Sequence, residues 1–204
     1  MKKILCTRTE LNVFGKSGEL EIFYPERAAD EITAHVVLDL AVRELDRLDH
    51  LLSAQESGSE VADLNMTAGR EYIRVSRETM HLLYLAKKHS LESRTEQAAA
   101  FADLKLMPQG KYGYGYDESM AADQFGGYIG GIAMLTGEDD IVSIDEEAII
   151  YSMDQLADIF REYKVADVRV CIGDVEMSAG TYASIYERQY DGTRPYSRYD
   201  LISA

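Results

Sequence analysis

The sequence predicts an α+β fold in which helices pack on a largely antiparallel sheet. Residues 11–14 (LNVF) and 19–24 (ELEIFY) are strand-like and flank the Gly-Ser segment 15–18 (GKSG), a pattern typical of a β-hairpin. A long amphipathic helix is predicted next, over residues 27–52. Later helical and strand-like segments alternate without the regular βαβ spacing of a doubly wound sheet, and this favours α+β over α/β.

The predicted long helix carries its apolar residues mostly at three- and four-residue spacing, so they share one face. These residues are Ile32, Leu38, Ala41, Leu45, Leu48 and Leu52. Charged residues such as Arg43 and Asp46 occupy the other face. Gly58 and the serines beside it end the helical pattern.

A second strand–helix pair is predicted in the middle of the chain. Residues 72–75 form a short strand, and Ser76 is a good N-cap for a helix over residues 77–89. Residues 95–106 fit either a helix or a strand. Residues 107–127 include a run rich in Gly and Tyr and have no assigned structure, whereas a strand or an ordered loop is expected over residues 128–135.

The C-terminal part is predicted to contain short strands at residues 141–143 and 148–151 and a buried strand at 168–172. Between them, Ser152 and Gln155 have the spacing of a capping box. A helix is therefore predicted from this box to Tyr163.

Composition indicates a cytoplasmic protein with one domain over residues 1–204. The chain has 46% hydrophobic and 28% charged residues, and no apolar run has the roughly 18 residues needed to cross a bilayer. Its net charge of −15 leaves no basic surface for a nucleic acid. No nucleic-acid or membrane partner is therefore expected.

The residue types that bind metals are scattered. Cys6 and Cys171 each lie in a strand-like apolar run and are interpreted as buried thiols. The four histidines are scattered, and neither His35 nor His50, which share one predicted helix, has a second His or Cys at three- or four-residue spacing. The acidic clusters at residues 137–140 and 145–147 are interpreted as solvated surface, so no metal site is predicted.

Two glycine-containing segments are interpreted as structural. Gly15-Lys16-Ser17 ends like a phosphate-binding loop, but the position that needs the first Gly of that loop holds Glu10. Residues 125–131 (FGGYIGG) lack the GxGxxG pattern of a dinucleotide loop. Tight turns or close strand packing explain both segments.

An ordered series of short motifs resembles the ApbE-type FAD:protein FMN transferases. In that family a long helix leads to Leu-Ser-x-aromatic, then Ser-Glu and Leu-Asn, then a strand and Val-Ser at the next helix. This chain has LDRLDHLLSAQ, SEVADLN and YIRVS in the same order. Residues 99–103 (AAFAD) are similar to the family's Gly-Ala-Phe-Asp, and residues 145–154 (DEEAIIYSMD) to its Asp-Leu-Gly-Ala-Ile-Ala-Lys-Gly-Tyr-Ala-x-Asp segment.

The resemblance implies an ApbE-like, T-fold-related antiparallel sheet with packed helices, shortened in its C-terminal half. It also implies FAD with Mg²⁺ as the cofactor and places flavin-site positions on eight residues. These are Gly18, Ser53, Gln55, Ala100, Phe101, Ala102, Asp145 and Ala148. The resemblance matches Asp145 to the Asp of the family segment and Ala148 to its magnesium-liganding backbone position. Simpler interpretations stay open: Ser53 as a turn residue, Phe101 as core and Asp145 as a surface acid.

Several of these positions depart from the family pattern, and the implied site is eroded. Gln55 stands where an aromatic residue packs on the flavin, and Arg198 replaces a His. Ala102 replaces an Asp, with Asp103 as the alternative match for that Asp. The Lys-Gly pair is missing, and the chain ends before the family's Asp-x-x-x-Thr magnesium site. The favoured hypothesis is therefore an ApbE-like protein that has lost FMN transfer and binds a ligand or a partner. The alternative is an active Mg²⁺-dependent transferase that attaches FMN to Thr or Ser of a target protein.

The C-terminal segment suggests a surface for a protein partner. It contains Tyr182, Tyr186, Tyr190, Tyr196 and Tyr199. Tyrosine offers a broad apolar area with a polar tip and is enriched at interfaces. A protein partner at this segment and a homo-oligomer are both predicted; a covered sheet edge is an alternative role for the same tyrosines.

Asn65 is expected to satisfy backbone groups at a turn.

Overall fold

A computed structural model describes residues 4–110, 113–114, 128–181 and 199–200. In these residues the chain forms two compact units, one of residues 1–47 and 149–204 and the other of residues 48–148. Each unit contains one sheet, and all pairs of neighbouring strands are antiparallel except one parallel pair. The predicted α+β class with a largely antiparallel sheet is confirmed. The prediction of a single domain stays a prediction.

The sheet of the first unit is built on the N-terminal hairpin. Strand β1 (Ile4–Val13) and strand β2 (Lys16–Pro25) pair over their whole length. Strand β7 (Asp167–Ile172) pairs with β2, and β8 (Val175–Ala179) pairs with β7. The short strand β9 (Tyr199–Asp200) completes the order β1-β2-β7-β8-β9 and is parallel to β8.

The hairpin turn lies earlier than predicted. It consists of Phe14 and Gly15, both with positive φ (51° and 67°), which suits the two-residue turns that match strand twist. Ser17 and Gly18 are therefore strand residues. Phe14 is 1% exposed, so burial of its ring compensates for a backbone conformation that bulky residues rarely adopt.

Helix α1 (Ala28–Leu52) confirms the long helix. Its buried residues include Val37, Ala41 and Leu45, while Ile32 is 65% exposed, so the prediction that Ile32 shares their face is wrong. The apolar face is centred on the 37–41–45 line, and Ile32 lies on the opposite side at 100° per residue.

Among the described residues, the second unit contains a four-stranded sheet and three complete helices. The strands are β3 (Ile73–Ser76), β6 (Tyr128–Leu135), β4 (Leu104–Gly110) and β5 (Gly113–Tyr114), in that order across the sheet. Helix α2 (Glu60–Met66) precedes β3, and helices α3 (Arg77–Ser93) and α4 (Ala98–Asp103) lie between β3 and β4 along the chain. Ser76 caps α3 by accepting a hydrogen bond from the Thr79 amide, as predicted. The strand at residues 128–135 is also confirmed.

Helix α5 (Asp145–Glu162) overturns the prediction for residues 141–152. Residues 148–151 are helical and residues 141–143 form no strand. Ser152 lies inside the helix and is fully buried, so it is not a capping residue. The short apolar run Ala148–Ile150 is the first part of a helical face that continues through Met153, Leu156 and Phe160.

The cysteines are less buried than predicted. Cys6 is exposed and Cys171 is half-buried. Both lie on the polar face of the first unit's sheet, in line with Arg8, Glu19 and Glu21 in the strand register. The apolar residues next to Cys6 and Cys171 in the sequence point to the opposite face of the sheet.

A buried charge cluster lies on the same polar face. The Arg169 guanidinium of β7 donates to Glu21 of β2 at 2.9 Å and to Glu176 of β8. All three residues are less than 9% exposed. Burial lowers the pKa of Arg169, but its hydrogen bonds and charge interactions with Glu176 and Glu21 more than offset this and raise it.

No helix of the described residues is long and apolar enough to cross a membrane. The tyrosines at positions 182, 186, 190 and 196 and the greater part of the Gly/Tyr segment lie outside the described residues. The predictions made for them stay predictions.

Candidate functional site

The loop before α5 is stabilised by side chains from other parts of the second unit. The Asn65 amide donates to the Val142 carbonyl at 2.8 Å, and its oxygen accepts from the Val142 N–H at 3.0 Å. Both backbone groups of Val142 are thereby satisfied without a neighbouring strand. Asn65 does satisfy backbone groups, as predicted, although it lies in helix α2 and its partner is distant in sequence.

The next residue of the loop is held by Gln97 and Asp145. The Ser143 N–H donates to Gln97 Oε1 at 2.8 Å. The Ser143 hydroxyl donates to Asp145 Oδ2 at 2.7 Å and accepts from the Asp145 N–H at 3.2 Å. Gln97 stands at the N-cap position of α4, but its side chain makes no capping bond there. Its oxygen serves the loop instead.

Asp145 joins this loop to the turn after α1. Its second oxygen, Oδ1, accepts from the Ala54 N–H at 3.3 Å. In the turn, the Ser53 hydroxyl accepts from the Gln55 N–H at 3.3 Å, and the Ser53 carbonyl accepts from the Ser59 hydroxyl. Ser59 also caps α2 by accepting from the Ala62 N–H. The structure thus brings together three predicted site residues: Ser53, Gln55 and Asp145.

Residues 99–103 (AAFAD) lie in helix α4, and they differ in how far they are buried. Phe101 is 2% exposed and belongs to the core of the second unit. Ala100 is half-buried and Ala102 is exposed. Asp103 ends the helix, and its carbonyl accepts from the Thr136 N–H at 3.2 Å. In this arrangement the Phe101 ring has no exposed face to offer a ligand.

Ala148 lies in the second turn of α5 and is fully buried. Its N–H donates to the Ile144 carbonyl at 2.8 Å, so Ile144 begins the helical hydrogen bonding. The helix continues well beyond Ser152, and the carbonyl of Ala148 points along the helix axis toward the next turn. Such a carbonyl is directed at helix amides and not at a ligand.

Gly18 lies in the first unit, where its lack of a side chain permits close strand pairing. A Cβ at this position would lie 2.1 Å from the carbonyl oxygen of Cys171 on β7. Gly18 also lines a surface pocket of about 440 Å³ together with Glu10, Glu19 and Cys171. Two carboxylates at this pocket disfavour an anionic phosphate.

Acidic residues occupy the first turn of α5. A helix N-terminus attracts negative charge, and here Asp145, Glu146 and Glu147 supply it from the chain itself. Burial raises the pKa of the Glu147 carboxyl, while its backbone hydrogen bond and His89, 3.7 Å away, lower it to a smaller extent. A phosphate at this helix end would meet three carboxyl groups.

Three members of this network were not predicted from the sequence: Gln97, Ser143 and the Ala54 amide. Ser143 two residues before an Asp at a helix start is a recognisable turn signal. The Gln97 contact and the Ala54 contact carry no local signal, because one spans 46 residues and the other involves only a backbone group.

A sequence profile of the ApbE family matches residues 14–183. The chain belongs to the ApbE family. This confirms the resemblance read from the short motifs. No curated protein sequence matches the chain significantly.

Solved structures of ApbE proteins share the fold. The flavin transferase ApbE from Vibrio cholerae is 14% identical with a TM-score of 0.57, over 87% of this chain and 60% of its own. The ApbE protein from Thermotoga maritima is 14% identical with a TM-score of 0.54, over 88% and 60%. The apo flavinyl transferase ApbE from Pseudomonas stutzeri is 15% identical with a TM-score of 0.55, over 88% and 59%. The chain therefore spans about 60% of the length of these ApbE structures.

The described ApbE-like positions do not fit a flavin with Mg²⁺. Magnesium needs octahedral oxygen ligands at short range. Asp145 directs both oxygens to hydrogen bonds within its loop, and the Ala148 carbonyl lies inside α5. Gln55 is exposed and has no aromatic face. Among the described residues, no group of three or more His, Cys, Asp or Glu side chains could hold a metal ion.

Proposed function

We propose that this chain is a member of the ApbE family that does not transfer FMN and that uses the ApbE-like scaffold to bind a ligand or a protein partner. One observation carries the proposal. The segment similar to the family's magnesium site is used to build α5 and the loop before it. The Asp145 carboxylate closes the loop through Ser143 and Ala54, and the Ala148 carbonyl is internal to the helix.

The charges near the ApbE-like positions support the same proposal. FAD carries a pyrophosphate, and its cleavage develops further negative charge that a metal ion normally stabilises. In this chain Asp145 is followed by Glu146 and Glu147, and Gly18 is flanked in its pocket by Glu10 and Glu19. These carboxylates would repel the anionic cofactor.

A second candidate function is an active Mg²⁺-dependent FAD:protein FMN transferase. The observation in its favour is that Ser53, Ser59 and Asp145 are connected by hydrogen bonds through one turn. The three residues come from separate pieces of the family signature. If FAD bound near this turn, reorientation of the Asp145 carboxylate would free an oxygen for a metal.

A flavin titration with and without Mg²⁺ separates the two functions. The purified chain is titrated with FAD and FMN, followed by flavin fluorescence and calorimetry, with the Vibrio cholerae ApbE as positive control. We expect no magnesium-dependent FAD binding at tens of micromolar and no FMN transfer to a Thr- or Ser-containing peptide. Magnesium-independent binding of FMN would identify flavin as the bound ligand and retain the proposal.

Tight magnesium-dependent FAD binding with FMN transfer would contradict the proposal and support the transferase. Asp145→Asn then shows whether the site is the one described here. Loss of binding in this variant, with Asp139→Asn unaffected, would place the metal at the loop before α5. Asp139 is a suitable control because it is an exposed acid of the same unit.

A further inference from the structure

Strand β1 is a long edge strand. It stands at the end of the order β1-β2-β7-β8-β9, and its ten residues pair with β2 without a register shift. It contains no proline. Among the described residues, no strand pairs with its outer side. Proteins normally protect edge strands by shortening, bulging or covering them, or by placing Pro or charged side chains on them, because a free edge otherwise pairs with another chain.

The backbone groups that point outward from β1 can be identified. A two-residue turn at Phe14–Gly15 is closed by a hydrogen-bonded pair, Val13 with Lys16, and the pairs then alternate. Asn12 and Ser17 therefore form a pair whose backbone groups point away from each other. The direction of the Ser17 carbonyl confirms this orientation, because this carbonyl accepts a hydrogen bond from the Gly173 N–H at 3.0 Å, on the β7 side of β2. By alternation, Cys6, Arg8, Glu10 and Asn12 present their N–H and C=O groups at the free edge.

The charged side chains of this edge are complementary to the same side chains on a second copy of the strand. Arg8 and Glu10 are both exposed and lie on the same face, since they are two residues apart. When two β1 strands run antiparallel with Thr9 opposite Thr9, each Arg8 faces Glu10 of the second copy. Shifts by one pair in either direction place Arg8 opposite Arg8 or Glu10 opposite Glu10, and both are repulsive.

The neighbouring strand strengthens this preference. Glu10 lies directly opposite Glu19 of β2, a like-charge pair, and no ion-pair partner of Glu10 is found among the described residues. Arg8 reaches Glu19 at 3.8 Å but remains largely exposed. In the antiparallel register, Arg8 of the second copy would lie beside Glu10 on the side away from Glu19. It would offset the repulsion between the two carboxylates.

We propose that two copies of this chain associate through β1 in this antiparallel register, with a two-fold axis at Thr9. The two sheets then form one continuous sheet, and the apolar faces remain on the same side because the axis is perpendicular to the sheet. The interface is isologous, so each Arg8–Glu10 pair occurs twice. The dimer is independent of the proposed function: Glu10 also lines the pocket beside Gly18, but the register uses only its charge and its position on β1.

Charge reversal tests the register. The tag-free chain and the variants Arg8→Glu and Glu10→Arg are compared by light scattering and sedimentation over a concentration series. We expect a concentration-dependent dimer for the unmodified chain and an increase of its dissociation constant by about tenfold or more in each variant, since two attractive pairs become repulsive. Lys105→Glu, an exposed charge reversal in the second unit, is the matched control and should leave the dimer unchanged.

Mixing the two variants provides the decisive measurement. Chains with Arg8→Glu carry carboxylates at both edge positions, and chains with Glu10→Arg carry guanidinium groups at both. An equimolar mixture should form the dimer that neither variant forms alone, and the double variant Arg8→Glu/Glu10→Arg should dimerise again. Restoration also shows that the variants are folded.

Three results would overturn the proposal. The first is a strictly monomeric unmodified chain at about 100 μM, where even a weak interface of this kind is populated. The second is a dimer that persists in both single variants, because it would then form through another surface. The third is failure of the mixture and of the double variant to restore association.

Discussion

Asn65 is the residue on which the loop before α5 depends most directly. Its amide group makes both hydrogen bonds to the Val142 backbone, and Val142 itself is fully buried. Asn65→Ala leaves a buried N–H and a buried C=O without partners, so we expect a loss of about 1–3 kcal/mol in the free energy of unfolding. Urea denaturation followed by circular dichroism measures it.

Asn65→Asp provides the control for this prediction. The carboxylate keeps the acceptor for the Val142 N–H but cannot donate to its carbonyl. The destabilisation should therefore originate mainly from the carbonyl side and should decrease when the carboxyl group is protonated at low pH. Equal stability of Asn65→Ala and the unmodified chain would show that the two Asn65–Val142 hydrogen bonds contribute nothing to the free energy of unfolding.

Arg169 is the residue of the first unit with the largest expected effect. Arg169→Ala would leave the carboxylates of Glu21 and Glu176 buried without their cation, and removal of one partner from a buried ion cluster costs about 3–5 kcal/mol. Arg161→Ala is a matched control, since Arg161 pairs with Asp158 at 2.7 Å but is 71% exposed. Its cost should stay below about 1 kcal/mol. Similar losses in thermal denaturation for both variants would contradict the prediction.

Residue-scale predictions from sequence succeeded where the signal was local. Ser76 was recognised as an N-cap because the apolar pattern of a helix begins immediately after it. Ser152 was misread because its spacing to Gln155 matches a capping box, yet the same spacing occurs inside any helix. Only the continuation of the helix back to Asp145, which buries Ser152, distinguishes the two cases.

At the scale of elements, Gly18 tests whether a predicted site residue has a structural role. Gly18→Ala places a methyl group against the Cys171 carbonyl and forces β2 and β7 apart. We expect a loss of about 1–3 kcal/mol in the free energy of unfolding, typical of overpacking. Ser17→Ala, at the exposed neighbouring position of the same strand, should change it by less than about 0.5 kcal/mol. An unchanged unfolding curve for Gly18→Ala would argue against the close strand approach.

The first turn of α5 contains a group that should make stability pH-dependent. Burial raises the pKa of Glu147 in the folded state, so the folded chain binds this proton more tightly than the unfolded chain does. The corresponding stabilisation is complete below the unfolded-state pKa, about 4.3, and is lost as the pH rises through the raised folded-state pKa. Glu147→Gln removes this loss, so its stability relative to the unmodified chain should increase as the pH rises from the unfolded-state pKa through the raised folded-state pKa.

Glu146→Gln controls for the helix dipole. Both substitutions remove a negative charge from the first turn of α5, but Glu146 is exposed. The difference between the two variants in urea denaturation across this pH range reports the net pKa shift of Glu147, in which burial is the largest cause. Parallel pH profiles for the two variants would mean that burial does not perturb Glu147.

Element prediction was accurate for long periodic segments and poor for short apolar runs. The helix over residues 27–52 has enough turns for its apolar face to be unmistakable. The run Ala148–Ile150 has only three apolar residues, and a period cannot be read from so few. The Gly-Ser segment 15–18 predicts the hairpin but misplaces its turn, which the structure forms from Phe14 and Gly15. A positive φ is rare for a bulky residue such as Phe14, so the sequence carries no signal for this turn.

At the scale of the whole molecule, ligand-linked stability tests the proposed loss of flavin binding. A ligand at 100 times its Kd stabilises a protein by about 2.7 kcal/mol, which raises Tm by several degrees in a chain of this size. We expect no increase in the Tm of this chain with about 100 μM FAD and millimolar Mg²⁺. A clear increase that requires both FAD and Mg²⁺ would count against the proposal.

The fold of this ApbE-family chain was predictable from the order of its motifs, whereas the candidate site was only partly so. Ser53 and Asp145 were identified from the resemblance, and the structure connects them through Ala54. That connection uses a backbone N–H, which leaves no trace in the side-chain pattern. Phe101 also matched a family motif, but a motif cannot show that its ring is buried; that depends on the packing of α4.

The Arg169 cluster constrains how this sequence can change over evolutionary time. Its members lie on three adjacent strands, and Glu21 is 148 residues away from Arg169 along the chain. Loss of the arginine alone leaves two anions, and loss of one glutamate alone leaves the cluster short of a hydrogen-bond acceptor. Sequence changes that preserve stability must therefore replace positions 21, 169 and 176 together. Close homologues should therefore carry either the complete charged set or an apolar substitute for all of it, with few intermediates between them.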